Sequence, residues 1–266
     1  MSMERNHNEY LQRAYMYDLL AQFYKYSNPG FHMNYYLKHL KYMNKAFETL
    51  RTQTELHEHP ATIRVLHTSY DSPNIDFYLN GERIIKDLPF KNVSPDLLLN
   101  NGKYHIDIYP TGNMIESVLN KKILIEPGKS YTLTTIGQVK KMRLLMFENQ
   151  PEVPFNEAKV RFIHLSPDTE KLDIAVKNRD VIFPDVEYKQ ATEYLGLMPM
   201  TVDLEARESG TSNVILSMPK IQFKANESYT ILFIGLTKSE PELQFIIIKD
   251  KENSPTGEPV RSKTEA

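Results

Sequence analysis

At 266 residues, 41% hydrophobic and 25% charged, the chain has the composition of an ordinary globular protein, with room for two domains of ~100 residues and an extra element. Its 32 basic and 34 acidic residues are interspersed and leave a net charge of −2, which argues against a nucleic-acid footprint or an anionic membrane surface. The absence of cysteine excludes disulfides, thiolate metal sites and cysteine nucleophiles.

The first residues, Met1-Ser-Met-Glu-Arg-Asn-His-Asn-Glu9, lack the apolar core of a secretory signal. No apolar run reaches the length of about 18 that a membrane span needs. The expectation is a cytoplasmic protein, with cell-surface or envelope association only by a non-Sec route. Residues 1–58 form a segment of their own: they hold half of the 16 tyrosines, and five of the eight histidines fall by position 59. Tyr10 to Tyr26 reads as a helix with apolar residues around most of its circumference, stopped by Ser27-Asn-Pro-Gly30. A second helix is expected from about His32 to Arg51. Met33, Leu40 and Phe47 fall seven apart, as do Tyr36, Met43 and Leu50, the spacing of an a/d seam. The pair reads as a Tyr-rich αα-hairpin, and a helix apolar nearly all round has to be buried on more than one side. Those six seam residues are the expected interface. Thr52 to Pro60 reads as a polar hinge.

From Ala61 the hydrophobic period changes to two. Short β-type runs alternate with turn signals such as Asn80-Gly81, Pro110-Thr-Gly112 and Pro127-Gly128, the pattern of an all-β sandwich. Asn80-Gly81 is the strongest hairpin signal, and Tyr104, Ile106 and Ile108 should face inward. The pattern then repeats. Ala61-Thr-Ile-Arg-Val-Leu-His67 is answered by Ala158-Lys-Val-Arg-Phe-Ile-His164, 97 residues later, and the match continues through Ser69/Ser166, Asp71/Asp168 and Asp76/Asp173. Late in each copy, Ser130-Tyr-Thr and Ser228-Tyr-Thr lead into Ile-Gly137 and Ile-Gly235. A period this long fits a duplicated domain and is too long for a solenoid. The expected organisation is a helical hairpin over 1–58, a β-sandwich over 61–148, a Pro-stiffened linker over 149–157, a second sandwich over 158–249, and a disordered tail over 250–266.

The strand ending in Val160-Arg-Phe-Ile-His164, followed by Ser166-Pro-Asp168 and Asp173, resembles the hallmark of a bacterial family catalogued as domain of unknown function 4397, often found in tandem. Copy one departs from it at Tyr70, where the pattern has Pro. The resemblance implies immunoglobulin-like sandwiches and transfers no activity. The fold class is therefore expected to be mainly β: two tandem immunoglobulin-like antiparallel β-sandwiches preceded by an N-terminal αα-hairpin.

The sharpest side-chain constellation is His67, Ser69, Asp71 and Asp76 with its repeat His164, Ser166, Asp168 and Asp173. One reading is a ligand site, for a cell-surface glycan or a metal ion, at one end of each sandwich. The other is turn chemistry, in which Asp and Ser close the loop and the imidazole donates to a backbone carbonyl; it accounts for every residue type. His57-x-His59 beside Glu55 and Glu58 fits a solvated pair, with nothing to order it as a metal site. Gly128-Lys-Ser130 fails as a phosphate loop, because position 123 is Ile and a strand follows. No nucleophile elbow, paired-carboxylate signature or dinucleotide turn occurs. The expectation is a non-enzymatic structural or protein-interaction protein, without cofactor, catalytic residue or metal. It self-associates or docks through the hairpin, with a homo-oligomer or a protein as partner and no nucleic acid. The competing class is the ligand-binding module; a hydrolase is the third.

Overall fold

The computed structural model describes residues 2–113 and 115–250; the tail expected over 251–266 lies outside the described residues. A helical unit up to Pro60 and a β unit from Ala61 are compact separately.

The helical unit is an antiparallel pair, α1 (Ser2–Tyr24) and α2 (Pro29–Glu58). Asn28 starts α2: its side chain accepts the Phe31 amide at 3.1 Å, and Pro29 sits in the first turn, where its missing N–H costs nothing. The helix runs through Glu58, so most of the stretch read as a hinge is helical. It holds neither Gly nor Pro before Pro60, which then forces His59 out of the helical region. The seam between the helices is a reciprocal ladder of histidine and alanine. Nδ1–H of His7 donates to Ala46 O (3.1 Å), that of His39 to Ala14 O (3.1 Å) and that of His32 to Ala21 O (2.8 Å). His7, Ala14 and Ala21 are seven apart on α1, and His32, His39 and Ala46 on α2, so each imidazole meets a small residue across the seam. The buried alanines let the backbones approach within reach of the rings.

In the β unit the first copy comprises β1 (Ala61–His67), β2 (Ile75–Leu79), β3 (Glu82–Leu88), β4 (Leu97–Leu99), β5 (Gly102–Pro110), β6 (Leu119–Ile125), β7 (Ser130–Ile136) and β8 (Arg143–Asn149). The second comprises β9 (Ala158–His164), β10 (Lys171–Val176), β11 (Val181–Glu187), β12 (Leu195–Leu197), β13 (Met200–Glu208), β14 (Val214–Phe223), β15 (Glu227–Ile234) and β16 (Gln244–Lys249). Each copy is a sandwich of two four-stranded sheets: β4-β1-β7-β8 on β3-β2-β5-β6, and β12-β9-β15-β16 on β11-β10-β13-β14. The sheets are largely antiparallel, but β1 pairs with β7, and β9 with β15, in parallel. Asn80 and Gly81 make the β2–β3 turn, both at positive φ. Tyr104, Ile106 and Ile108 are buried in the first core, as their alternation predicts.

The copies do not stand apart as beads on a linker. β1, β7, β9 and β15 are buried almost without interruption, on both faces. One face feeds the core of its own sandwich. The other joins a third cluster drawn from both copies, with Leu66 and Ile136 meeting Ile163, Leu165, Leu232, Ile234 and Ile248. Continuous apolar character on both faces of a central strand marks a sheet covered on both sides.

Beside that cluster lies a closed ring of six side chains. Arg64 Nε donates to Thr132 Oγ1 (2.9 Å), Thr132 Oγ1 to Asn149 Oδ1 (3.0 Å), and Asn149 Oδ1 accepts from Arg161 Nη2 (2.6 Å). Arg161 Nε donates to Thr230 Oγ1 (3.0 Å), Thr230 Oγ1 to Asp250 Oδ1 (2.7 Å), and Asp250 Oδ1 accepts from Arg64 Nη2 (2.8 Å). Each guanidinium also takes a backbone carbonyl of the other copy, Arg64 that of Lys249 and Arg161 that of Glu148. Asp250 Oδ2 accepts from Ser228 Oγ and from the Tyr194 hydroxyl, whose ring lies under Arg161. Asn149, the last residue of β8, and Asp250, the residue after β16, placed by sequence at the start of the linker and of the tail, are thus both buried, because each is the counter-group of the other copy's arginine.

Removing the Asp250 carboxylate would leave two buried guanidinium groups without an anion, so Asp250→Ala is expected to lower stability by ~3–5 kcal/mol. The loss is read as a fall in the urea midpoint of the Asp250→Ala chain, and an unchanged midpoint would refute the assignment.

Candidate functional site

Two surfaces are candidates: the His/Ser/Asp loops of the sandwiches and the apolar face of the hairpin.

Both loop histidines sit at the ends of fully buried central strands. His67 Nε2–H donates to Pro73 O (3.1 Å), and Nδ1 accepts from Thr135 Oγ1 (2.9 Å). His164 Nε2–H donates to Thr169 O (3.2 Å), and Nδ1 accepts the Ser166 amide (3.3 Å). The difference is set by the strand opposite: Thr135 faces His67, whereas Phe233 faces His164 and has no hydroxyl to give. Burial disfavours the imidazolium in both, pushing His67 below its usual value and His164 down to about 4, against the opposing pull of the carbonyl bonds.

The aspartates cap backbone. Asp71 accepts the Val139 amide (2.7 Å), and Asp168 accepts those of Thr237 and Lys238 (2.9 Å each), so both close the loop that follows the Ile-Gly pair. Ser69 Oγ donates to Gly137 O (2.7 Å), and Ser166 Oγ to Asp168 (3.0 Å). At Gly235 any Cβ would collide with Glu242 O, and φ is +90°, which accounts for glycine there. Asp76 and Asp173 accept the amides of Asp87 and Asp185 (2.8 Å each), residues at positive φ where β3 and β11 bulge. Burial opposes ionisation of Asp76, Asp168 and Asp173, but the donors around each outweigh it and hold all three below the ordinary carboxylate range. The two loops border a shared open cleft of about 510 Å³, with Tyr70, Asp71 and Gln138 from one copy and Pro167, Asp168 and Lys238 from the other. Among the described residues no group of three or more His, Asp or Glu could hold a metal ion.

On the hairpin, the heptad line read from sequence flanks the histidine–alanine seam. Met33, Tyr36, Leu40 and Phe47 are 40–59% exposed and Met43 is half-buried; the Leu50 side chain lies outside the described residues. Leu11, Tyr15 and Leu19 of α1 continue the same face, with Tyr15 and Leu19 exposed. No described helix is long and apolar enough to cross a membrane.

The chain is mainly β, a tandem of face-packed sandwiches, with a helical hairpin besides. The chain belongs to the family described as a domain of unknown function (DUF4397), whose model matches residues 61–175 and again 158–261. No curated protein matches it. Solved structures similar to parts of it include the C-terminal domain of AlgF from P. aeruginosa, 20% identical over 35% of this chain and 98% of that one, TM-score 0.29. A family 26 carbohydrate-binding module of Eubacterium rectale Amy13K, crystallised with maltoheptaose, is 11% identical over 73% and 98%, TM-score 0.24. A fimbrial assembly protein from Parabacteroides distasonis is 10% identical over 73% and 97%, TM-score 0.23. Likenesses this distant carry no functional conclusion.

The buried arginines belong to the repeated sequence motif, whose pattern alone assigns them no role. The available signal was an arginine repeated at the middle of a strand otherwise apolar on both faces, a position that needs an acceptor brought from elsewhere.

The His164 shift fixes a pH dependence. Its folded pKa is below its unfolded value, so the unfolded chain binds the extra proton between about pH 6.5 and 4, and stability falls as pH drops through that window. The loss is on the order of 3 kcal/mol when complete. His164→Asn, which keeps an acceptor for the Ser166 amide, should flatten that part of the profile in urea titrations. An unchanged slope would count against a buried neutral imidazole.

Proposed function

We propose that the protein is a non-enzymatic assembly protein that associates with a second copy of itself through the apolar face of the α1–α2 hairpin. The observation that carries this reading is the exposure of Met33, Tyr36, Leu40 and Phe47 on one line of α2, with Tyr15 and Leu19 alongside on α1. At ~200 Å² for a large side chain, such a face offers each partner a share on the order of that in an interface of standard size. The named residues carry no charge, and two hairpins paired about a two-fold axis make a four-helix bundle. The ligand-binding reading of the His/Ser/Asp loops has less support, because their imidazoles, hydroxyls and carboxylates are engaged with backbone and with one another. The sandwiches then serve as a rigid body presented by the assembly.

Burying a leucine side chain is worth roughly 1.5–3 kcal/mol, and a glutamate in its place would have to desolvate a charge. Leu40→Glu is therefore expected to shift the full chain to a smaller species in multi-angle light scattering, with the melting of the β unit unchanged. A wild-type chain that remains monomeric at high micromolar concentration would refute self-association.

A further inference from the structure

The opposite flank of the hairpin seam carries a feature that neither packing nor self-association requires. Tyr10, Tyr17 and Tyr24 repeat every seven residues on α1, and Tyr35 and Tyr42 do so on α2. The five rings interleave into one zigzag. Centroids lie 6.3 Å apart for Tyr10–Tyr42, 5.5 Å for Tyr42–Tyr17, 6.2 Å for Tyr17–Tyr35 and 5.7 Å for Tyr35–Tyr24. The last three pairs are within 20° of parallel. All five side chains are half-buried, so the rings are fixed by their neighbours while their edges reach solvent. Lys38 lies over Tyr17 and Tyr35, and Lys45 over Tyr10 and Tyr42, which pins the ladder further. Phenylalanine would pack as well at every rung; the Tyr42 hydroxyl accepts from Arg13 Nη1 at 3.5 Å, and ring packing gives no reason for the hydroxyls of the other four. The chain contains no Trp and no Cys, which leaves tyrosine as its principal one-electron donor.

We propose that this ladder is a site of oxidative modification, in which two phenols on facing helices couple to dityrosine and tie α1 covalently to α2. The co-reactant class is a haem peroxidase with hydrogen peroxide. The oxidised haem takes one electron from each of two phenols, and each phenol gives its hydroxyl proton to water. The two phenoxyl radicals join through a carbon–carbon bond between ring positions ortho to oxygen. Each of those carbons then loses its hydrogen as the ring regains aromaticity and the hydroxyl is restored. In sum, two ring hydrogens are lost and one peroxide is reduced to two waters. Rings held 5.5–6.2 Å apart need only side-chain rotation to bring ortho carbons together, and closely spaced rungs let the radical migrate until it meets a second one.

The test treats the dilute full chain with a haem peroxidase and hydrogen peroxide. Dityrosine fluorescence is read in the monomer band after denaturing electrophoresis, and the linked peptides are identified by mass spectrometry. The expected product is a monomer lighter by two hydrogens, with Tyr17 or Tyr24 of α1 joined to Tyr35 or Tyr42 of α2. Tyr35→Phe combined with Tyr42→Phe keeps the ring packing, leaves no facing pair of phenols in the ladder and should abolish most of the monomer-band signal. Tyr15→Phe with Tyr26→Phe, which removes two of the more exposed phenols, should leave it unchanged. A monomer-band cross-link map dominated by Tyr15 or Tyr26 would overturn the proposal, as would a signal that survives the Tyr35/Tyr42 double substitution. Links between copies run outside the monomer band, so the wild-type map of that band decides the matter whether or not the chain self-associates.

Discussion

The arrangement of the β unit depends on where two buried guanidinium groups find their acceptors. Arg64 and Arg161 occupy the same place in their copies, on a central strand and on the face turned away from that copy's own core. Neither copy can satisfy its arginine alone. The nearest local group, Thr132 or Thr230, takes only the Nε hydrogen, and the remaining donors reach across to the last residues of the other copy's final strand. A buried ion left unpaired costs several kcal/mol, so the two sandwiches are bound to each other by the same groups that would destabilise them apart.

This exchange gives the duplication a physical meaning. A single copy facing another copy of itself about a two-fold axis would make the same contacts twice. Within one chain the two halves are free to differ, and among the six side chains of the ring they do so at one position. Asn149 closes one side of the ring and Asp250 the other, so two arginines share one carboxylate. The imbalance is met by the Tyr194 ring under Arg161 and by the Tyr194 and Ser228 hydroxyls on Asp250. Burial lowers the Arg161 pKa from its usual value and raises that of the Tyr194 phenol to about 12, so the phenol stays neutral beside Asp250 at neutral pH.

The sandwiches, the hairpin and the repeat were legible because each is written in local periodicity: a change from heptads to alternation at Ala61, turns at Asn80-Gly81, and a motif repeated at a fixed shift. The inter-copy face was not. Alternation reports one buried face, whereas β1 and β9 bury both, and the polar residues that complete the ring, Asn149 and Asp250, stand in stretches whose composition looks like linker and tail. The aspartates of the loops were seen and their turn chemistry named, but not the amides they cap, since these lie up to about 70 residues away. In the hairpin the apolar line Met33–Phe47 was visible as a heptad. The histidine line beside it was hidden because histidine is not counted as a packing residue.

That histidine line uses the imidazole differently from the sandwiches. In the hairpin His7, His32 and His39 each give Nδ1–H to a carbonyl across the seam, so the ring acts as a donor that ties one helix to the backbone of the other. His67 and His164 each use one nitrogen as an acceptor, and a proton placed there deletes a bond inside a closed core. One residue type thus serves as a clasp between helices in one unit and as a point of acid weakness in the other.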